Sequence, residues 1–367
     1  MLRTAPVLLL CCGGLLGGEI QGVFPGKEWE PISKPETLGY SSAKLEVLRA
    51  WMKTQHTTAL MVSVGGHVLF EYGDVKLVSV VASVRKSILA MIYGKYVANG
   101  TIDLNKTVKQ AGLDDVQKFL PIEERATIAH LLMSRSGIYH PDGGGPVEDA
   151  CPVRGSQIPG TFFCYTNWGF NAAGTAFEKL TGKDIYDALE TDLARPIGMQ
   201  DFDRAKQKKA SVLPDSRHPE YHMYLSTRDM ARIGLLMLTG GNWGDVRVLP
   251  ENWSNSLTTL VTPASELYPL GFRWGNQMGT SRWGYGLMWW VWDTPRLPRG
   301  IGIGDFYGAY TAQGTGGQYI TVLPSRGVVI AHKVDLATAT EKDYVAPEDY
   351  MTMLEMLMSA KCQDSCK

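Results

Sequence analysis

The chain has 367 residues, enough to bury a large core and to build about two domains. Its 36 lysines and arginines nearly cancel 37 aspartates and glutamates, and no basic stripe or charge run stands out, which argues against a nucleic-acid partner. A small molecule or a peptide suits this composition, and nothing in it calls for a cofactor.

Residues 1–22 read as a secretory signal, in which Arg3 precedes an apolar run over 5–16 that ends in small residues. The run is too short and glycine-rich for a membrane span, so export to a periplasm or the outside is expected, with no stable span. Cys11 and Cys12 lie within it, but the bulky Leu9 and Leu10 before them do not suit a lipoprotein cleavage site. Residues 23–40, rich in proline and glycine, are expected to wrap the surface without regular structure. An amphipathic helix over 42–55 follows, with Leu45, Leu48, Trp51 and Met52 on its apolar side. Two β-rich arms, 60–64 and 67–72, flank Gly65-Gly66, a two-residue hairpin signal. A strand-like stretch over 75–81 then leads into an apolar helical run with Ile88, Leu89, Met91 and Ile92.

From about 103 to 260 the apolar spacing is mostly helical, over 128–133, 171–180, 185–193 and 227–238. Strands return over 307–312, 318–323 and 328–334, the last two joined by a Pro324-Ser325-Arg326-Gly327 turn, and a helix over 351–358 closes the chain. This order gives an α+β fold: one mostly antiparallel sheet flanked by N- and C-terminal helices, with an inserted all-helical lobe. The sheet lobe is assigned to 23–95 and 270–367 and the helical lobe to 96–269, with a ligand cleft between them.

Ser83-Val84-Arg85-Lys86 opens the helix after the 75–81 stretch. A serine hydroxyl near neutral pH needs a neighbour to take its proton. On a helix Lys86 falls on the same face one turn after Ser83, and the phenol in Tyr165-Thr166-Asn167 is the natural second partner. The helix N-terminus adds its macrodipole and a backbone N–H free to meet an oxyanion. The plainer alternative is that Ser83 only caps its helix. Ser41-Ser42-Ala43-Lys44 repeats the spacing, but there a serine cap for the 42–55 helix is the better explanation.

Cys151, Cys164, Cys362 and Cys366 remain after the signal, and local pairing as Cys151–Cys164 and Cys362–Cys366 suits an exported chain, with a free Cys164 beside Tyr165 as the alternative. The sequons at Asn99, Asn105 and Asn252 carry meaning only in a eukaryotic source. His218-Pro219-Glu220-Tyr221-His222 has two histidines four apart, yet the proline breaks the helix that would align them on a metal. No Gly-x-Ser-x-Gly pentapeptide occurs, and Gly143-Gly144-Gly145-Pro146 lacks the lysine of a phosphate loop. Tyr285, Trp289, Trp290 and Gln318 are candidates to line a substrate pocket, with core filling as the alternative for the aromatic residues and for Trp168.

Four stretches together resemble the serine β-lactamase and penicillin-binding superfamily, on the side of its class C-related esterases and aminohexanoate-oligomer hydrolases. They are Ser83-Val84-Arg85-Lys86, the stretch from Thr127 to Gly137, Tyr165-Thr166-Asn167, and Gly314-Thr315-Gly316-Gly317-Gln318. Ser226-Thr227-Arg228-Asp229 and Gly284-Tyr285-Gly286-Leu287 also match, in the family's order. The resemblance implies that Ser83 forms an acyl-enzyme while Lys86 favours the phenolate of Tyr165 as general base. It also implies that Asn167 bonds Lys86 and the substrate amide, and that the oxyanion lies between the N–H of Ser83 and that of Thr315, or alternatively Gly317. Gln313 and Gly314 stand where β-lactamases and transpeptidases carry a lysine or histidine, so uncharged esters or amides are expected rather than a penicillin carboxylate. β-Lactamase or D-alanyl peptidase activity is the alternative, and a catalytically silent binding or regulatory protein of this fold the reading from another class.

Overall fold

Gly65 and Gly66 both take positive φ, 56° and 87°, which a two-residue hairpin turn requires and which most other residues resist. They close β1 (Ala59–Val64) onto β2 (His67–Gly73), in register from Val64 against His67. The computed structural model describes residues 23–142, 151–211, 213–267, 283–293, 304–362 and 366. The signal-like segment and the glycine run at 143–145 lie outside the described residues.

The hairpin is one edge of a seven-stranded antiparallel sheet ordered β2-β1-β13-β12-β11-β10-β9. Its other strands come from the C-terminal part of the chain: β9 (Trp283–Tyr285), β10 (Trp290–Trp292), β11 (Tyr310–Gly314), β12 (Gln318–Leu323) and β13 (Val328–Lys333). β12 and β13 are buried throughout, so both faces of the sheet centre are covered.

Two terminal helices cover one face. α1 (Ser42–Met52) begins at Ser41, whose hydroxyl accepts from the Lys44 N–H, so this serine is a cap. It runs beside α9 (Pro347–Ser359), tied by the Lys44 ammonium to Ser359 O at 2.8 Å. The Tyr350 hydroxyl of α9 bonds Thr321 at 2.7 Å and its ring stacks on Tyr319 at 3.8 Å, fixing α9 on the face that Tyr319 and Thr321 share. The opposite face, marked by Ile320, receives α6 (Thr227–Leu238), where Gly234 allows close approach because a Cβ there would stand 2.3 Å from Val329. The sequence reading grouped 227–238 with the helical lobe. Its strongly one-sided apolar surface instead docks on β12, β13 and β1.

The helical side holds α2 (Val84–Ala98), α3 (Ile128–Leu132), α4 (Asn167–Thr181), α5 (Ile185–Ala188) with a π-helical turn over Leu189–Ala194, α7 (Trp253–Thr258) and α8 (Ala264–Leu267). It is not purely helical. The two-residue β3 (Ser79–Val80) pairs with β6 (Tyr224–Leu225), β4 (Lys208–Ala210) with β5 (Glu220–His222), and β7 (Asn242–Trp243) with β8 (Val246–Arg247). Of the strand-like stretch over 75–81, only Ser79 and Val80 enter a ladder, because their partner β6 is itself two residues long. Among the described residues no helix is long and apolar enough to cross a membrane.

Candidate active site

Ala82 adopts a left-handed φ of 45°, uncommon for alanine, and turns the chain abruptly from β3 into α2. The first helical N–H groups fold back by three residues, Val84 onto Val81, Arg85 onto Ala82 and Lys86 onto Ser83. Ser83 occupies the N-cap position, yet its side chain makes no capping bond. Its hydroxyl is instead held by the Lys86 ammonium at 3.0 Å. The capping alternative for Ser83 therefore fails, whereas Ser41 is a true cap.

Lys86 is 1% exposed. Its ammonium also donates to the Tyr165 hydroxyl at 3.0 Å and to Asn167 Oδ1 at 2.7 Å, one acceptor for each N–H. The charge lies 4.3 Å from the Tyr165 ring centre and 4.4 Å from that of Phe170. Ser83, Tyr165 and Asn167 are only partly buried, so the three acceptors around the sunken lysine border solvent.

Burial pushes the Tyr165 phenol up to about 12, against the hydrogen bond to Ser83 and the charge of Arg85, which pull it down. At neutral pH Tyr165 thus holds its proton. The phenolate expected from the resemblance has to be formed as part of the reaction.

Tyr165 is fixed from both sides along the chain. Cys164 is joined to Cys151 by a disulfide, and its N–H and C=O pair with the Ser134 C=O and hydroxyl at 2.9 and 2.8 Å. Ser134 reaches them by a left-handed φ of 58° immediately after α3. On the other side, Thr166 caps α4 through Gly169 N–H, placing Asn167 on the first helical turn. The next residue, Trp168, is a core residue whose indole N–H donates to Asp115 at 2.5 Å. Asp115 also accepts from the Ser216 hydroxyl at 3.1 Å and the Arg217 N–H at 2.7 Å, and meets His140 Nδ1 at 3.1 Å. His140 Nε2 lies 3.4 Å from Glu123, which takes two bonds from Arg154 inside the Cys151–Cys164 loop. The second disulfide, Cys362–Cys366, is at the far C-terminal end.

The end of β11 closes over the serine. A Cβ on Gly314 would stand 2.7 Å from Val81 O and 3.0 Å from the Ser83 nitrogen, so only glycine permits this approach. Gln313, Gly314 and Thr315 are partly exposed, whereas Gly317 is buried. Gly317 does not join the site. Its N–H donates back to Gly314 O at 3.3 Å, and a Cβ there would meet Val345, Val334 and His332.

Of the expected pocket residues, Tyr285 and Trp290 flank Tyr165, with ring centres 6.1 and 5.8 Å away, while Trp289 and Gln318 do not reach the site. Trp289 is fully buried against Tyr310, and Gln318 is fully buried with its amide on Val334 O at 2.7 Å. Gln318 faces inward at the start of β12, and Trp289 is buried in the bend that joins β9 to β10. The histidine pair of 218 and 222 is split: His218 Nδ1 bonds Thr175 at 3.1 Å beside the Trp168 ring, and His222 lies 3.3 Å from Glu220 on β5. Asp115 is the supporting residue that lies in none of the motifs, since its partners His140, Trp168, Ser216 and Arg217 are tens of residues distant.

The fold agrees with solved structures. A "putative 6-aminohexanoate-dimer hydrolase" from Bacillus anthracis superposes with a TM-score of 0.60 at 18% identity, over 92% of this chain and 87% of its own. A penicillin binding protein from Bacillus halodurans does so at 0.58 and 15%, over 84% and 99%. EstCE1, a hydrolase with promiscuous acyltransferase activity, gives 0.58 at 12%, over 88% and 99%. No curated protein matches the sequence. The beta-lactamase family model matches residues 48–343, which include the serine, lysine, tyrosine and glycine stretches described above; the chain belongs to the beta-lactamase family.

Proposed function

We propose that the chain is an exported serine hydrolase that cleaves ester or amide bonds of small molecules through an acyl-enzyme on Ser83. The observation that carries this reading is the buried Lys86 ammonium joined at once to the Ser83 hydroxyl, the Tyr165 phenol and Asn167. With one proton removed from the Lys86/Tyr165 pair, the pair takes the Ser83 proton as Oγ bonds the carbonyl carbon. The carbonyl electron pair moves to oxygen, where the Ser83 N–H receives it at the helix N-terminus. Collapse breaks the bond to the alcohol or amine, which leaves with the proton from Tyr165, and water repeats the sequence to free Ser83.

Thr315 is the second oxyanion donor in this reading. The Trp292 N–H donates to Ala309 O at 2.9 Å, so residues 309, 311 and 313 turn their N–H groups to the β10 side, and the same alternation reaches 315. β10 pairs with β11 only as far as Trp290 opposite Thr311, which leaves that side of the strand end to the serine. In this reading Asn167, whose Oδ1 accepts from Lys86, also bonds the acyl-side amide. Neutral Gln313 and Gly314 before Thr315 favour uncharged substrates, and the two disulfides suit an oxidising compartment reached by export.

Mass spectrometry after a fluorophosphonate probe tests the nucleophile. Mass added at Ser83, absent in Ser83→Ala together with turnover of p-nitrophenyl esters, is the expected result. No adduct on the folded wild-type protein would favour the catalytically silent reading, and rapid turnover of a chromogenic cephalosporin would favour the β-lactamase alternative over the esterase.

A further inference from the structure

We infer that Arg85, the residue between the nucleophile and the lysine, is an electrostatic positioning residue that makes the Lys86/Tyr165 pair give up its proton near neutral pH. The inference rests on the acyl-enzyme reading above and adds a residue that touches neither substrate nor Ser83.

Arg85 is 4% exposed, on the first turn of α2. Its Nη2 donates to Asn171 Oδ1 at 3.0 Å, its guanidinium carbon lies 4.3 Å from the Tyr221 ring centre, and its buried Nη1 has no hydrogen-bond partner. Among the described residues no carboxylate comes within ion-pair distance of it. Taking a charge out of water without an ion-pair partner is costly, so a buried guanidinium bonded only to a neutral amide is a strained electrostatic arrangement. It is relieved by whatever nearby group becomes more negative.

The acids on which its charge acts include three phenols. Arg85 lowers the proton affinity of Tyr165, Tyr221 and Tyr186, and Tyr165 is the one that also touches the Lys86 ammonium. Titratable groups around Tyr165 among the described residues include Lys86 and Arg85 on α2, Tyr221 on β5 and Tyr285 on β9, with Glu220 and His222 adjoining Tyr221. Burial holds Tyr165 up, so the reaction needs an opposing field, and a fixed positive charge supplies one. The sign does not depend on which member of the pair releases its proton: a neighbouring cation favours loss from either.

The test is the pH profile of kcat/KM for p-nitrophenyl acetate. In Arg85→Gln the acidic limb is expected to move up by about one pH unit, a tenfold lower rate on the limb, with the alkaline plateau and fluorophosphonate labelling of Ser83 retained. Arg85→Lys keeps the charge and is expected to leave the limb near its wild-type position. Asn171→Asp leaves Arg85 in place but sets a carboxylate on Nη2, cancelling the field without truncation, and is expected to shift the limb the same way. An unmoved limb in Arg85→Gln and Asn171→Asp, or a plateau that falls with no shift, overturns the inference while Ser83 labelling keeps the acyl-enzyme reading. Absence of wild-type labelling overturns the acyl-enzyme reading itself.

Discussion

The indole N–H of Trp168 meets the Asp115 carboxylate at 2.5 Å, both side chains wholly out of solvent, and the residue before this tryptophan is Asn167. The asparagine that holds Lys86 is therefore pinned from below through Trp168, by a carboxylate 53 positions before that tryptophan. Asp115→Asn removes the charge that faces His140 and reverses part of the donor pattern around it. Breaking a buried charged pair costs about 3–5 kcal/mol, so urea unfolding followed by tryptophan fluorescence should show a loss of that order. A loss below about 1 kcal/mol, the range of exposed pairs, would mean that Asp115 anchors nothing.

The same cluster sets a two-sided pH dependence of stability. For Asp115, hydrogen bonds from His140, the Arg217 N–H and Trp168 overcome burial and hold the carboxyl well below its usual range, and Glu123 is pulled down to about 2 against its burial, chiefly by Arg154. Both stabilise the fold above ordinary carboxylate values, and that contribution disappears as pH falls toward 2. Burial alone would lower His140, but Asp115 and Glu123 raise it above the usual imidazole value. Its contribution is complete below about 6.5 and fades as pH climbs through the raised value. Thermal unfolding from pH 3 to 9 should show both slopes, and His140→Gln should abolish the alkaline one and weaken the acidic one, because Asp115 and Glu123 lose the imidazolium that helps to hold them down. A wild-type alkaline slope that survives the substitution belongs to another group.

Gly314→Ala inserts a methyl 3.0 Å from the Ser83 nitrogen and 2.7 Å from Val81 O. The backbone has to part there, spoiling the oxyanion geometry while leaving the core untouched. Loss of one such donor costs about 10²–10³ in kcat, so a drop of that size with an unchanged melting temperature is expected. Full activity in this variant would place the oxyanion elsewhere.

Tyr165→Phe keeps the ring against Phe170 and Trp290 but removes the atom that accepts from Lys86. General acid–base groups contribute about 10²–10⁴, and the chemical step measured in single turnover should fall within that range. The expected stability change is small, because the ring packing is retained. An unchanged single-turnover rate removes the phenol from the proton path.

The hairpin at Gly65-Gly66, the 318–323 strand and the 227–238 helix were legible because each announces itself locally, by turn glycines, by length or by periodicity. The meeting of Ser83, Lys86 and Tyr165 was legible because a serine that is to act as a nucleophile would need such partners. What was not legible depends on contacts between distant segments. α6 was grouped with the wrong neighbours, since an apolar stripe does not state which surface it will meet. Polarity and aromaticity point Gln318 and Trp289 toward a pocket, but the start of β12 and the bend before β10 turn them into the core. The short strands β9 and β10 have only three residues each, below what an alternating pattern can mark, and Gly317 matched its motif while pointing away from the serine.

Cys164 and Tyr165 share a peptide bond, so the sulfur bridge to Cys151 ends one residue short of the group that would ferry the proton. The redox history of the chain consequently reaches its chemistry by the shortest covalent route. A reduced copy would lose that tether on Tyr165 and an oxidised one would keep it, so the redox state of a single cysteine pair would alter how firmly the phenol is held beside Lys86.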